Sequence, residues 1–130
     1  MKPIYKCNIC GNIVELLHSG GGQLVCCGAP MNLLEANTVD ASVEKHIPVV
    51  DVSDEGVTVT VGSVLHPSTP EHYIEWIEIS HGDGKSAKHF LKPGDVPQVT
   101  CKCGASDCDC GCRDKNIKAR CYCNLHGLWE

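Results

Sequence analysis

The sequence predicts a mainly β protein: a small metal-binding N-terminal domain followed by an antiparallel β-sandwich of the immunoglobulin-like kind. Three observations predict it. The chain is rich in Val and Ile but holds one Phe, two Trp and three Tyr, a composition that favours strands around an aliphatic core. Apolar residues recur in short alternating runs between turn formers, with no convincing amphipathic helix. Four of the 11 cysteines fall in two close pairs near the N-terminus, as expected of a segment too short to bury a core of its own.

At 130 residues the chain suits one domain, or one domain plus a small metal-clipped module. Its net charge of -5 comes with no basic stripe, which sets nucleic-acid binding aside. The stretch Met1–Cys7 has no apolar run of the signal-peptide type, and no stretch is long enough to span a membrane. The expected location is therefore cytoplasmic. In that reducing compartment dense cysteine means metal or redox chemistry; in a secreted chain it would mean a disulfide framework.

Residues 1–36 form the first expected unit. Cys7-Asn-Ile-Cys10 is a knuckle followed by Gly11, and Cys26-Cys27-Gly28 closes the set. Asn12–His18 reads as a short strand, and Ser19-Gly20-Gly21-Gly22 as the turn that brings the pairs together. Four thiolates suit zinc or iron in tetrahedral geometry. Neighbouring side chains on extended backbone point apart, so Cys26 and Cys27 are expected to splay the site. His18 reads as a surface residue. The stretches Cys7–Glu15 and Leu24–Met31 resemble desulforedoxin, which holds one iron in four thiolates. The resemblance implies iron and one-electron transfer, against the plainer reading of a structural zinc clip.

Residues 37–130 form the second expected unit. His46–Val52 reads as extended, with Pro48 marking an edge. Val57-Thr-Val-Thr-Val61 alternates strictly, valines inward and threonines outward. Ile74–Ile79 is a third strand, with a turn at Asp83-Gly84. Val99–Cys103 and Ile117–Cys123 also alternate, the latter placing Ile117, Ala119, Cys121 and Cys123 on one face. His46 is expected to open a strand, His66 to end the strand begun at Val57, and His72 to begin the next. His126 lies in the turn after the last strand. Singly, each reads as a surface histidine. Four of them at strand ends with the thiol of Cys123 make five ligands, too many for closed tetrahedral zinc and suited to iron with one vacant position. His81 and His89 lack this setting and are read as non-ligands.

The stretches Glu44–Pro48, Gly62–Pro67, Glu71–Ile77, Phe90–Asp95 and Cys123–Trp129 resemble desulfoferrodoxin, the two-iron class of superoxide reductase. With the N-terminal unit the resemblance covers nearly the whole chain outside residues 101–121. It implies that His46, His66, His72 and His126 surround the second iron in a plane, with Cys123 as axial sulfur. It implies one-electron reduction of superoxide to hydrogen peroxide, with electrons from a rubredoxin-like donor. It also implies that Glu44 occupies the vacant position of the oxidised iron, and that the N-terminal unit makes a homodimer contact. The resemblance further implies that the axial thiolate favours product release with the O–O bond intact. A small anionic substrate on an acidic protein needs local positive potential, for which Lys45 is the candidate; without His46 beside them, Glu44 and Lys45 read as a solvated charged pair. The rival class is a non-catalytic electron-transfer or structural zinc or iron protein.

Six cysteines remain: Cys101, Cys103, Cys108, Cys110, Cys112 and Cys121. Gly104–Asn116 reads as an insertion between the last two long strands, and the residues around it depart from the family pattern. These thiols are open to three readings: a third metal, disulfides, or free and partly buried groups. Cys121 shares a strand face with Cys123, so a shift of register would offer the iron the wrong sulfur.

Overall fold

Residues 1–53, 56–81, 85–102 and 116–130 are described by the structure, a computed structural model. The expected turn at Asp83-Gly84 and four of the surplus cysteines, Cys103, Cys108, Cys110 and Cys112, lie outside the described residues. The chain forms two units, Met1–Glu35 and Ala36–Glu130.

In the first unit β1 (Ile4–Lys6) pairs antiparallel with β2 (Ile13–Glu15). A hairpin follows from β3 (Val25–Cys26) and β4 (Ala29–Pro30), and β5 (Asn32–Leu33) returns to the other edge of β1. The expected strand from Asn12 to His18 is only three residues long, and His18 is exposed. Ile4 and Cys7 are the buried hydrophobic residues here, so a metal clip must do what a core cannot.

The second unit opens on α1 (Val43–His46), one turn of helix, followed by β6 (Pro48–Ser53) and β7 (Gly56–Val61). Then come β8 (Ile74–Ser80), β9 (Ser86–Phe90), β10 (Gln98–Lys102), β11 (Lys118–Cys123) and β12 (Gly127–Trp129). They make two antiparallel sheets, in the orders β10-β7-β6 and β12-β11-β8-β9. One cluster joins Val57, Val59 and Val61 to Ile74, Ile77, Ile79, Ala119, Cys121, Cys123 and Trp129. The valines of β7 are fully buried while Thr58 and Thr60 are half-exposed, as strict alternation requires.

The other face of the larger sheet is covered too. Trp76 and Tyr122 sit side by side in the ladder and stack at 4.6 Å with rings 9° apart. Beside them buried Glu78 is held by Arg120 from β11 and by Lys88 from β9, the latter at 3.5 Å. Charges at alternate positions usually signal a solvated face; here Glu78 and Arg120 are paired and buried, which requires that each retain its partner.

Three expected strand boundaries differ. His46 does not open a strand but ends α1, and Ile47, held extended by the following proline, separates helix from strand. The strand begun at Gly56 stops at Val61, because Gly62 turns left-handed at φ +86, so His66 lies in the loop beyond. His72 precedes β8 by two residues.

Candidate metal centres

The first centre is built from two tight turns. In the knuckle, the N–H of Gly11 donates to the carbonyl of Cys7 and that of Cys7 to the carbonyl of Asn12, each at 2.9 Å. The N–H of Cys10 lies 3.5 Å from the Cys7 sulfur. Opposite, Cys26 ends β3 and Cys27 begins the two-residue turn into β4. Cys27 and Gly28 have φ of 54° and 72°, so both take the left-handed conformation of a type I′ hairpin turn. The adjacent sulfurs therefore do not splay apart as extended backbone would dictate. Cys27 leaves the strand direction, at a conformational cost of about 1–2 kcal/mol for a residue with a Cβ.

Cys10 Sγ lies 3.6 Å from Cys26 Sγ, and Cys26 Sγ 4.0 Å from Cys27 Sγ. All four sulfurs lie within 4.8 Å of one another. The backbone N–H of Cys10 draws the Cys7 thiol down to about 6. Hydrogen bonding to the Cys10 thiol pushes Cys26 up and Cys27 up to about 12. Four sulfurs this close cannot all be thiolates unless a cation sits among them, and the set fits a tetrahedral metal.

The second centre gathers four rings from four segments. His46 comes from α1, His66 from the loop after β7, His72 from the approach to β8, and His126 from the turn between β11 and β12. Successive rings in the order 46, 66, 72, 126 and back to 46 have centroids 4.6 to 5.0 Å apart, with planes 73° to 88° from one another. The diagonal from His46 to His72 is 6.2 Å, with planes only 32° apart. The four rings thus form a near-square in which neighbours stand nearly perpendicular. The donor atoms of His46, His66, His72 and Cys123 lie within 4.8 Å of one another. His126 Nδ1 stands 3.0 Å from His46 Nε2 and 3.8 Å from Cys123 Sγ.

Tautomers follow from the carbonyls around the square. His46 Nδ1 lies 2.6 Å from the Ser42 carbonyl, and His66 Nδ1 lies 2.7 Å from that of Pro67. A carbonyl only accepts, so both Nδ1 atoms carry the proton and both Nε2 atoms carry lone pairs. Those two lone pairs face each other at 3.3 Å. Burial opposes placing a proton between them: it lowers His46 and His72 and brings His66 down to about 4. His72 Nε2 is buried with no hydrogen-bond partner. Neutral nitrogens aimed at one another, beside a sulfur, are the state a metal cation requires.

Gly62 makes room for this arrangement. Its N–H donates to the Ile47 carbonyl at 3.0 Å, and that of Val64 to the Glu44 carbonyl at 3.1 Å. The turn after β7 and the helical turn carrying His46 thereby touch backbone to backbone. Trp129 lies against His46, centroids 4.8 Å apart and planes 26° apart, and its Nε1–H donates to the His126 carbonyl at 3.1 Å. Glu44 and Lys45 are exposed on α1 beside His46.

The sulfur facing the imidazoles is that of Cys123. A register irregularity between Tyr122 and Cys123 separates it from Cys121. Cys121 is fully buried, its thiol lies 3.3 Å from the His46 carbonyl as a donor, and burial pushes it up to about 12. Cys101 is half-buried on β10. Neither His81 nor His89 joins a donor cluster among the described residues. Sequence reasoning gave no role to Gly62, Asn124 or Trp129. Their signal, a glycine and two hydrogen-bonding residues within the ligand-bearing segments, has meaning only once the segments are side by side.

Comparison with known proteins agrees over both units. The family model described as desulfoferrodoxin matches residues 38–130, and that of the desulfoferrodoxin N-terminal domain matches residues 1–34. Desulfoferrodoxin of Nitratidesulfovibrio vulgaris is 54% identical over 127 residues, 98% of this chain and 93% of that protein. That of Syntrophotalea carbinolica is 50% identical over the same shares. The crystal structure of the superoxide reductase from Treponema pallidum superposes with a TM-score of 0.72 at 30% identity, covering 99% of this chain and 95% of that one. With both units matched in order, and with the donor sets of two iron centres assembled in the fold, the chain belongs to the desulfoferrodoxin family.

Proposed function

We propose that the chain is a superoxide reductase, converting superoxide, one electron and two protons into hydrogen peroxide. The observation that carries this reading is the square of four imidazoles with the Cys123 sulfur beside it. In this reading His46, His66, His72, His126 and Cys123 hold the reactive iron, and Cys7, Cys10, Cys26 and Cys27 hold the other. A ferrous ion held by these five donors would supply one-electron reducing chemistry at the site. The protein supplies the rest. The Nδ1 bonds of His46 and His66 aim their lone pairs inward and keep both rings from turning. The thiolate of Cys123 would place negative charge against the metal, which weakens its hold on an anionic product. Lys45, exposed one residue before His46, draws the anion in. Glu44, exposed on the same turn, is the carboxylate that closes the site between turnovers.

A rubredoxin-like protein is the proposed donor, the cytoplasm the proposed location and a homodimer through the first unit the proposed assembly. The test is to supply iron during expression, measure iron and zinc per chain, and count peroxide formed with an external electron donor. Two irons per chain and one peroxide per superoxide are expected; one peroxide per two superoxides would mean dismutation. A colourless, zinc-only protein would favour the structural reading. Lys45→Glu is expected to slow the bimolecular reaction about tenfold or more at low salt. The gap should narrow as ionic strength rises, and rates that are equal at low salt would remove Lys45 from the mechanism.

A further inference from the structure

Three of the four rings in the second centre have a hydrogen-bonded or covalent reason for their position. His46 and His66 are tied through Nδ1 to carbonyls. His126 is three residues from Cys123 in a tight turn, its carbonyl bonded by Trp129. His72 differs: among the described residues no carbonyl meets either nitrogen of its ring, and its Nε2 is buried without a partner. Its position must come from its backbone.

That backbone is gripped from both sides. Upstream, Thr69 closes a turn on His72: each N–H donates to the other's carbonyl, at 2.9 and 3.1 Å, and the Thr69 hydroxyl oxygen also accepts from the His72 N–H at 3.1 Å. On the other side stands Asn124, the residue after Cys123. Its Nδ2 donates to the Glu71 carbonyl at 3.0 Å, its Oδ1 accepts from the Tyr73 N–H at 3.0 Å, and its own N–H donates to the Tyr73 carbonyl at 3.2 Å. The side chain thus bonds both residues that flank His72, using the donor and the acceptor of a single amide. No other residue type of that length offers both.

We infer that Asn124 is the positioning residue for His72, a clamp that ties the fourth imidazole to the peptide carrying the sulfur. This rests on the reading of the cluster as a metal centre. It implies that His72 and Cys123 move as one body, so that loss of the clamp releases one specific ligand and leaves the other four donors in place.

The experiment follows iron release to a ferrous chelator from the iron-loaded full chain, with the iron of the four-cysteine centre as internal reference. Asn124→Ala is expected to release the second iron about tenfold faster or more, in the range seen when groups supporting a ligand are removed. Asn124→Asp keeps the acceptor for Tyr73 but loses the donor to Glu71, and its rate should fall between the two. His72→Ala and the double variant Asn124→Ala/His72→Ala should release iron at the same rate, because without His72 the clamp has nothing to hold. A merely structural Asn124 would accelerate release in the His72→Ala background as much as in the wild type, and that result overturns the proposal. So does an Asn124→Asp rate equal to wild type, a measurement that holds even where the alanine variant fails to fold. Iron release is read without superoxide, so a protein that holds iron through this clamp yet reduces no superoxide would overturn the enzymatic reading alone.

Discussion

Gly62→Ala is expected to strip the second centre of iron while the first stays loaded. A Cβ at this position would meet the carbonyl oxygen of Val64 at 2.3 Å and those of Glu44 and Lys45 at 2.8 Å each. All three are backbone atoms, so no rotamer change relieves them. The φ of +86 adds about 1–2 kcal/mol of conformational cost for any residue with a side chain. The helical turn must then lift off the turn after β7, breaking the bonds from Gly62 to Ile47 and from Val64 to Glu44, each contributing about 1 kcal/mol. A total loss of about 3 kcal/mol or more follows, and His46 is displaced with its helix. Iron per chain should fall from two toward one, and the denaturation midpoint of the second unit should drop. Two irons and an unchanged midpoint would show that α1 does not depend on this close approach.

Cys123→Ser is expected to abolish the thiolate-to-iron absorption of the second centre and most reductase activity, while the spectrum of the four-cysteine iron survives. A serine hydroxyl stays protonated and donates far less charge to a metal than a thiolate does. Among the described residues the other sulfur on the same strand is that of Cys121, and the fold keeps it occupied: its thiol is fully buried, pushed up to about 12 and directed at the His46 carbonyl. It is therefore not expected to stand in. Absorption that persisted in the serine variant would mean that Cys121 can reach the metal after all.

Much of this was legible in the residues. The alternation of Val57–Val61 marked the buried face of β7, because a half-buried strand imposes a period of two on any sequence; that of Ile117–Cys123 marked the face of β11 that meets the core cluster, although both faces of β11 are buried. The convergence of four histidines on one cysteine followed from their setting in loops and at strand ends, and from resemblance. What was not legible depended on backbone signs and on partners far along the chain. His46 looked like a strand residue because four residues of helix are too few to show a period. Cys27 looked badly placed because a left-handed φ in a residue other than glycine leaves no compositional mark. The burial of Glu78 and Arg120 left no mark, since each charge is tolerated inside only with a partner from another strand, and Asn124 acts on a loop that is distant in sequence.

The square of imidazoles has one more consequence, for the survival of the folded chain. His46 and His66 are 20 residues apart, and His46 and His126 are 80 apart. A metal joining them cross-links the chain across loops of those lengths, and single cross-links of such spans stabilise folded proteins by about 3 to 5 kcal/mol. Without it, lone pairs face one another inside the fold. The second unit is therefore a domain whose resistance to unfolding is linked to metal supply. When iron is scarce, the chains that fail to load it are also the ones most open to proteolysis, and the amount of protein that persists becomes a gauge of the iron that was there to fill it.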